Sequence, residues 1–242
     1  MFKVFQKHPE LVTLQSDRSD GSMRLLDNDD ALANRKKFLK SQGINPSQAV
    51  HAQLIHGNLV RIVSSQEKGQ LIKQTDGLIT SEQNLYLTIT VADCLPVFIY
   101  DPVHKVIGLV HAGWKGLISE IIPAAVIAMK GQFQSKPGEI LVGIGPGIKS
   151  CHYQVDDRRA EEFRAKYPEA MIKKQGTQSL DLTLIARQQL INMGVLETNI
   201  KVNTDCTYCQ QNKYFSYRRE GGQKVKTMLI VFGQNGKKAN VS

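Results

Sequence analysis

Cysteine, histidine and tryptophan are scarce in this chain: of 242 residues, four are Cys, six are His and one is Trp. Cys94, Cys151, Cys206 and Cys209 are too few and too unevenly spread to staple a domain of this length. That excludes a disulfide scaffold and leaves free thiols or metal ligands. His8, His51, His56, His104, His111 and His152 are a poor supply for the several histidine-rich ligand sets of a multicopper centre. No apolar run approaches the roughly 18–20 residues that cross a bilayer. The opening MFKVFQKHPELVTL has no signal-peptide core with a small-residue cleavage site, so a cytoplasmic location is expected and no membrane partner. Repeats, low-complexity tracts and long linkers are also missing, and one domain over residues 1–242 is the expectation.

Positive charge is in surplus. Lys and Arg number 31 against 22 Asp and Glu, for a formal net charge of +9. Such a balance favours anionic partners: nucleic acid, a phosphorylated metabolite or phosphate itself. The basic residues are dispersed, however, in small groups at Arg35-Lys36-Lys37, Lys173-Lys174, Arg218-Arg219 and Lys237-Lys238, and no nucleic-acid motif accompanies them. A solvated basic surface accounts for them as well, and nucleic acid is the weaker expectation.

Helical patterns run over 30–42 (opened by Asp30 and stopped by Gly43), 119–132 after Ser119, 157–167 after Asp156, and 182–193 between Asp181 and Gly194. Between them lie the β-rich runs LVTLQ, AVHAQLIHGNLVRIV, GLITS, TITVADCLPVFIY, KVIGLVHAGW, EILVGIG, IKVNTDC, KYFSYRR and KTMLIVFG. Strands outnumber helices without strict alternation, which predicts a mixed α/β sandwich rather than a Rossmann fold.

The runs TITVADCLPVFIY and KVIGLVHAGW flank the turn signal Asp101-Pro102-Val103-His104 and predict a hairpin. A turn centred between Pro102 and Val103 sets Cys94 opposite His111; one centred on Val103 sets it opposite Ala112 and sends His111 to the other face. In the first register one zinc ion could bridge thiolate and imidazole, with bonds of about 2.3 and 2.0–2.1 Å. The same pair would serve as a cysteine nucleophile and its base. His56, at the end of VHAQLIH and before Gly57, is the candidate third ligand, or else a hydrogen-bonded structural histidine. Three protein ligands with a fourth position open is the pattern of a catalytic zinc site. Asp93 points away from Cys94 on a regular strand and reads as a hydrogen-bonding partner of the following turn. Trp114 is either a flat apolar wall for a ligand or ordinary core. GIGPGI at 143–148 lacks a Walker lysine and the dinucleotide spacing, and is taken as a turn. Cys206-Thr207-Tyr208-Cys209 is a lone CxxC without a second cysteine pair, and reads as a buried strand end.

HGNLV, ADCLPV, HAGWKG, GPGIKSCHYQVD, the CT of DCTYC, and FSYRR before a glycine-rich stretch follow one another in this order. The pattern resembles the YfiH/YlmD-type family, once named polyphenol oxidoreductase or laccase-domain proteins and now described as purine nucleoside phosphorylases. The matches run from about residue 50 to the C-terminus, and DNDDALANRKKFL resembles the family's early helix, with Asn34-Arg35 as its Asn-Arg pair. The resemblance implies an α/β/β/α layered sandwich related to some cysteine hydrolases, and zinc on His56, Cys94 and His111, with copper the lesser alternative. It implies phosphorolysis of adenosine, inosine and potentially methylthioadenosine to base and ribose 1-phosphate, with adenosine deamination as a second activity. Purine nucleoside and phosphate are the expected partners. Arg35, Lys115 and Arg218 are the expected phosphate or ribose contacts, with Arg219 the alternative to Arg218, and Trp114 is expected beside the base. Two positions depart from the family pattern: Lys115 stands where HAGWRG has arginine, and Gln223 follows glycine where Gly-Arg is common. The rival activities are a cysteine hydrolase with Cys94 as nucleophile and His111 as base, a copper phenol oxidase, and a non-enzymatic basic binding module for RNA or an envelope-assembly partner.

Overall fold

A computed structural model describes residues 2–24, 29–174, 176–221 and 225–236 of the chain. Gln223 and the Lys237-Lys238 pair lie outside the described residues. In chain order the elements are β1 (Leu11–Gln15), α1 (Asp29–Ser41), β2 (Ala49–Ala52), β3 (Val60–Ile62), β4 (Leu71–Ile72), β5 (Gly77–Thr80), β6 (Tyr86–Val91), β7 (Leu95–Asp101) and β8 (Val106–Ala112). There follow α2 (Trp114–Ile118), α3 (Ile121–Phe133), β9 (Leu141–Ile144), α4 (Asp157–Lys166), β10 (Met171–Lys174), β11 (Thr177–Leu180), α5 (Leu182–Asn192), β12 (Ile200–Val202), α6 (Tyr217–Glu220) and β13 (Met228–Gln234).

Two mixed sheets form from these strands, one ordered β1-β13-β6-β2-β4 and the other β12-β9-β7-β8-β5-β3, while β10 and β11 make a separate hairpin. Side-chain alternation along each strand divides the apolar residues between layers. On β7, Phe98 and Tyr100 join Leu87, Ile89, Leu109, Ile230 and Phe232 between the sheets. Val97 and Ile99 point the other way, onto Leu117, Val126 and Met129 of α2 and α3 and Ile185 and Leu190 of α5. The outer face of the first sheet presents Ala49, Tyr86, Leu229 and Val231 to Phe38 and Leu39 of α1. The result is the α/β/β/α layering expected from the family pattern. Among the described residues no helix is long and apolar enough to cross a membrane.

The helices follow their local capping signals. Asp156 accepts from Arg159 N at 2.8 Å, and Asp181 accepts from Thr183 N and Leu184 N at 2.9 and 3.0 Å. Ser119, expected as the cap of the 119–132 helix, instead ends α2, and α3 starts after Glu120 in a left-handed conformation (φ 65°). KYFSYRR is not a strand: it turns and enters α6, where Ser216 caps by accepting from Arg219 N at 3.2 Å. AVHAQLIHGNLVRIV breaks into β2 and β3 and leaves His56 in the loop between them.

The largest correction concerns TITVADCLPVFIY. It is two strands in different sheets, β6 and β7, and the chain passes from one sheet to the other within Ala92-Asp93-Cys94. Asp93 takes φ 86° to make that crossing. The β7–β8 register is also neither of the two expected, because Leu95 pairs with Ala112 and Pro96 with His111. Asp101 Oδ1 accepts from Val103 N (2.8 Å) and His104 N (3.1 Å), an Asx turn that moves the hairpin centre toward His104. Cys94 therefore lies beyond the ladder and reaches His111 by way of the crossing.

Asp93 holds the crossing in place. Its buried carboxylate accepts from Thr207 Oγ1 at 2.6 Å, Ser216 Oγ at 3.0 Å and Arg218 N at 2.7 Å. These partners lie at least 114 residues along the chain, not in the following turn. Asp93→Ala would strip the acceptor from three donors. At about 1.5–3 kcal/mol per hydrogen bond to a charged group, we expect it to lower unfolding stability by at least about 3 kcal/mol, read as a lowered urea midpoint with an unchanged slope.

Candidate functional site

Three elements bring His56, Cys94 and His111 together: the β2–β3 loop, the sheet crossing and the end of β8. Their ligand atoms lie within 4.8 Å of one another, close to the spread that one ion with bonds of about 2.0–2.3 Å spans. The two imidazoles meet edge to face, with ring centroids 4.9 Å apart.

Asp76 orders this group and carries no sequence motif of its own. It directly precedes β5, whose pairing of Gly77 with Val110 puts Asp76 beside His111. His111 N donates to the Asp76 carbonyl at 2.7 Å, and the His111 ring Nδ1 lies 3.0 Å from Asp76 Oδ1. With Nδ1 occupied there, Nε2 is the nitrogen free to face Cys94. The same carboxylate accepts from the backbone N–H groups of His56 (2.8 Å), Gly57 (2.8 Å) and Ile55 (3.3 Å). These bonds hold the loop in the turn that gives His56 its left-handed φ of 60°. One buried acid thus positions both histidines, as carboxylate partners of metal-bound histidines do.

The electrostatics are those of a charged pair. Burial alone would raise the Cys94 pKa, but the charge and hydrogen bonds of His111, with those of His56, bring it down to about 6. Burial would lower that of His111, yet Cys94 and Asp76 raise it to about 9. Burial likewise works against the Asp76 carboxylate, and hydrogen bonds from His111, Gly57 and His56 overcome it and hold its pKa below the usual range. A thiolate is therefore available near neutral pH, either as a soft anionic metal ligand or as a nucleophile. With two imidazoles it makes a set that suits borderline-soft zinc and leaves a coordination position open.

The cluster opens on a cavity of about 490 Å³, lined by His56, Cys94 and His111 together with Arg24, Arg35, Thr90, Tyr217 and Thr227 and the apolar Leu54, Leu71, Ala92 and Val225. Arg35 comes to it from α1 and is only 4% exposed; it donates to Met23 O at 2.7 Å and lies 3.2 Å from His51 Nδ1. Burial lowers its pKa to about 9, which leaves it charged at neutral pH. The other expected substrate contacts are elsewhere. Trp114 packs on the helix layer with the Arg159 guanidinium 4.2 Å over its ring, and Lys115 lies 5.6 Å from the same ring. Arg218 is spent on His152 O, Gln154 O and the Tyr153 ring, and Arg219 on the carbonyls of Thr207, Tyr208 and Tyr214. None of these four lines the cavity. The aromatic wall is Tyr217, which is 60% exposed and starts α6.

Two glycines permit the close approaches. A Cβ on Gly113 would lie 2.7 Å from Cys94 Sγ, and one on Gly116 would lie 3.0 Å from Gly57 O. On Gly57 itself a Cβ would meet nothing nearer than Ile55 at 3.5 Å, so that glycine does not make room for the imidazole. Away from the cavity Cys151, His152, Cys206 and Cys209 form a second cluster with the composition of a metal site, which corrects the reading of CTYC as a lone pair.

Two mixed sheets between helical layers, with a Cys/His₂ cluster that could hold a metal ion facing a cavity, define a layered α/β protein. The chain belongs to the family described as multi-copper polyphenol oxidoreductase laccase, whose model matches residues 16–232. It is 32% identical over 213 residues to the purine nucleoside phosphorylase YlmD of Bacillus subtilis, covering 84% of this chain and 77% of that one. It is 31% identical over 185 residues to a purine nucleoside phosphorylase of Bacteroides thetaiotaomicron, covering 74% and 67%. The crystal structure of YlmD from Geobacillus stearothermophilus superposes with a TM-score of 0.89 at 28% identity, over 94% of this chain and 93% of that one. That of Bacillus licheniformis YfiH gives 0.84 at 32%, over 88% and 85%.

Asp76→Asn would keep the shape of the side chain and remove the charge that faces His111. We expect metal affinity, measured by competition with a chromophoric chelator, to fall by about 10–100-fold with the fold retained. Gly113→Ala should displace the Cys94 thiol and weaken binding in the same assay.

Proposed function

We propose that this chain is a purine nucleoside phosphorylase that cleaves adenosine and inosine with phosphate in the cytoplasm, holding zinc on His56, Cys94 and His111. The observation that carries this reading is the meeting, in one cavity, of the Cys/His₂ cluster with Arg24 and Arg35. The named activity of the relatives, similar over most of the chain, supports it. The cavity volume falls in the range of about 300–1,000 Å³ that small-molecule sites occupy, and the four unpaired thiols suit a reducing compartment.

Phosphorolysis asks mainly for positioning and for positive charge on the attacking anion. Arg35 meets both needs: its guanidinium is buried, fixed by Met23 O, and without a carboxylate partner among the described residues. Phosphate is the charge that completes it. The Tyr217 ring forms a face for the purine, and the Thr90 and Thr227 side chains line the same cavity. Zinc, when bound, would supply a Lewis-acidic centre that polarises a substrate oxygen. Adenosine deamination is a second activity we assign to the same cavity. A cysteine-hydrolase reading rests on the thiolate–imidazolium character of Cys94 and His111.

Incubation of zinc-replete protein with adenosine or inosine, with and without phosphate, followed by chromatography, tests the proposal. We expect free purine and ribose 1-phosphate only when phosphate is present, and inosine from adenosine without it. Cys94→Ala should cost more than the about 10–100-fold typical of outer-shell partners. Arg35→Gln should raise the KM for phosphate by about 10–100-fold, from about 1.5–3 kcal/mol per charged hydrogen bond. No purine release, with His111-dependent labelling of Cys94 by a thiol-reactive ester, would replace phosphorolysis with the hydrolase.

A further inference from the structure

Two loops carry the second cluster. Cys151 and His152 lie in the turn after β9, and Cys206 and Cys209 in the turn after β12, with Gly147 and Cys206 bridged as in a parallel ladder. Thr207 N donates to Gly147 O at 3.2 Å, which keeps the turns side by side. Cys151 Sγ is 3.7 Å from Cys206 Sγ and 3.8 Å from Cys209 Sγ. His152 Nδ1 is 3.2 Å from Cys151 Sγ and 3.3 Å from Cys209 Sγ. A disulfide would need sulfurs about 2.05 Å apart. A tetrahedron with Zn–S bonds of about 2.3 Å and Zn–N of about 2.0–2.1 Å has S–S edges of about 3.8 Å and S–N edges of about 3.6 Å. The sulfur spacings match that tetrahedron, and the nitrogen stands a few tenths of an ångström inside it.

Backbone donors face one of the three sulfurs. The backbone N–H of Lys149 donates to the Cys206 sulfur at 3.4 Å, and the Tyr208 and Cys209 backbone of the CTYC turn adds to the pull that lowers its pKa. Stacking on Tyr208, centroids 4.1 Å apart at 15°, fixes the His152 ring. Zinc with three thiolates and one imidazole carries a net charge of −1, and the Lys149 ammonium interacts with both Cys151 and Cys206. The two cysteines and histidine nearest the surface need no open position, since four protein ligands fill the coordination sphere.

We propose that Cys151, His152, Cys206 and Cys209 bind a structural zinc ion, separate from the cavity cluster, that clamps the 149–153 and 206–209 turns. The clamp supports the site. Thr207 bonds Asp93, the neighbour of Cys94, and Arg218 and Arg219 of α6 bond the carbonyls of His152, Thr207 and Tyr208. The ion thereby braces the crossing that presents Cys94 and the helix that presents Tyr217.

The test is zinc content per chain by mass spectrometry, in full-length protein purified without chelator. Cys94→Ala disables the cavity cluster, so it should retain one zinc per chain, and Cys94→Ala/Cys209→Ala should retain none. Zinc absent from folded Cys94→Ala, or kept in the folded double variant, would overturn the proposal. Should the double variant not fold, a mercurial titration of Cys94→Ala decides: zinc release must track modification of Cys151, Cys206 and Cys209, located by peptide mapping. Release without modification of those thiols, or a disulfide found between Cys151 and either partner, would equally overturn it. Neither measurement depends on nucleoside cleavage.

Discussion

The carboxylate of Asp93 is the joint on which both the fold and the site depend. The chain has to leave one sheet and enter the other within three residues, and no regular strand can do so. Asp93 achieves it with φ 86°, a conformation that costs a non-glycine residue about 1–3 kcal/mol. Three hydrogen bonds from the 207–218 segment offset that cost and make the bend a single defined state. Cys94 is the first residue beyond the bend. Its thiol is placed by the crossing, with Gly113 opposite giving it space, and not by the β7–β8 ladder.

That origin explains what the sequence could disclose. Helices capped by Asp156 and Asp181 are legible because capping is a contact over three residues, and the β7 and β13 runs are legible because burial on both faces leaves them continuously apolar. The β7–β8 register was not, since the Asx turn at Asp101 shifts the pairing, and the kink at Asp93 then takes Cys94 out of the ladder. The two act together, so that Cys94 meets His111 although it is not opposite His111 in the ladder. Asp76 left no mark because its role arises from strand pairing with β8. Tyr217 was hidden in FSYRR, whose aromatics mimic a strand while Ser216 starts a helix. Trp114 attracted notice by rarity alone, and its ring is taken up by Arg159. Arg35 is the substrate candidate whose place in a motif and place in the cavity coincide.

The family's copper description and the relatives' phosphorylase names ask different things of the same side chains. Several copper ions need several histidine-rich sets. Among the described residues there are two clusters of three or more ligand residues, with two histidines in one and a single histidine in the other. A His₂Cys set can hold one copper ion in an electron-transfer site whose weak axial ligand is Met, Gln or a backbone oxygen, and of these side chains the described cavity lining holds Gln53. What lines it is a pair of arginines, an aromatic ring and hydroxyl groups, the equipment for an anion and a flat polar ligand. That lining, rather than the donor set, is what favours group transfer over electron transfer.

The positions of the two clusters relative to Asp93 suggest why the chain keeps both. A thiolate on a bend is placed only as precisely as the bend, and at the proposed site a loss of about 1 Å in placement would be costly to catalysis. Asp93 fixes the bend by bonding Thr207 and Ser216, so its rigidity is borrowed from the 206–218 loop. That loop buries Cys206, Tyr214 and Phe215, and Arg218 and Arg219 at its end are spent on backbone carbonyls. In the proposed clamp, zinc would tie Cys206 and Cys209 to the 151–152 turn and add to the hydrogen bond from Thr207 N to Gly147 O. Order then passes from the second cluster through Asp93 to Cys94, and by way of α6 to Tyr217 on the cavity wall.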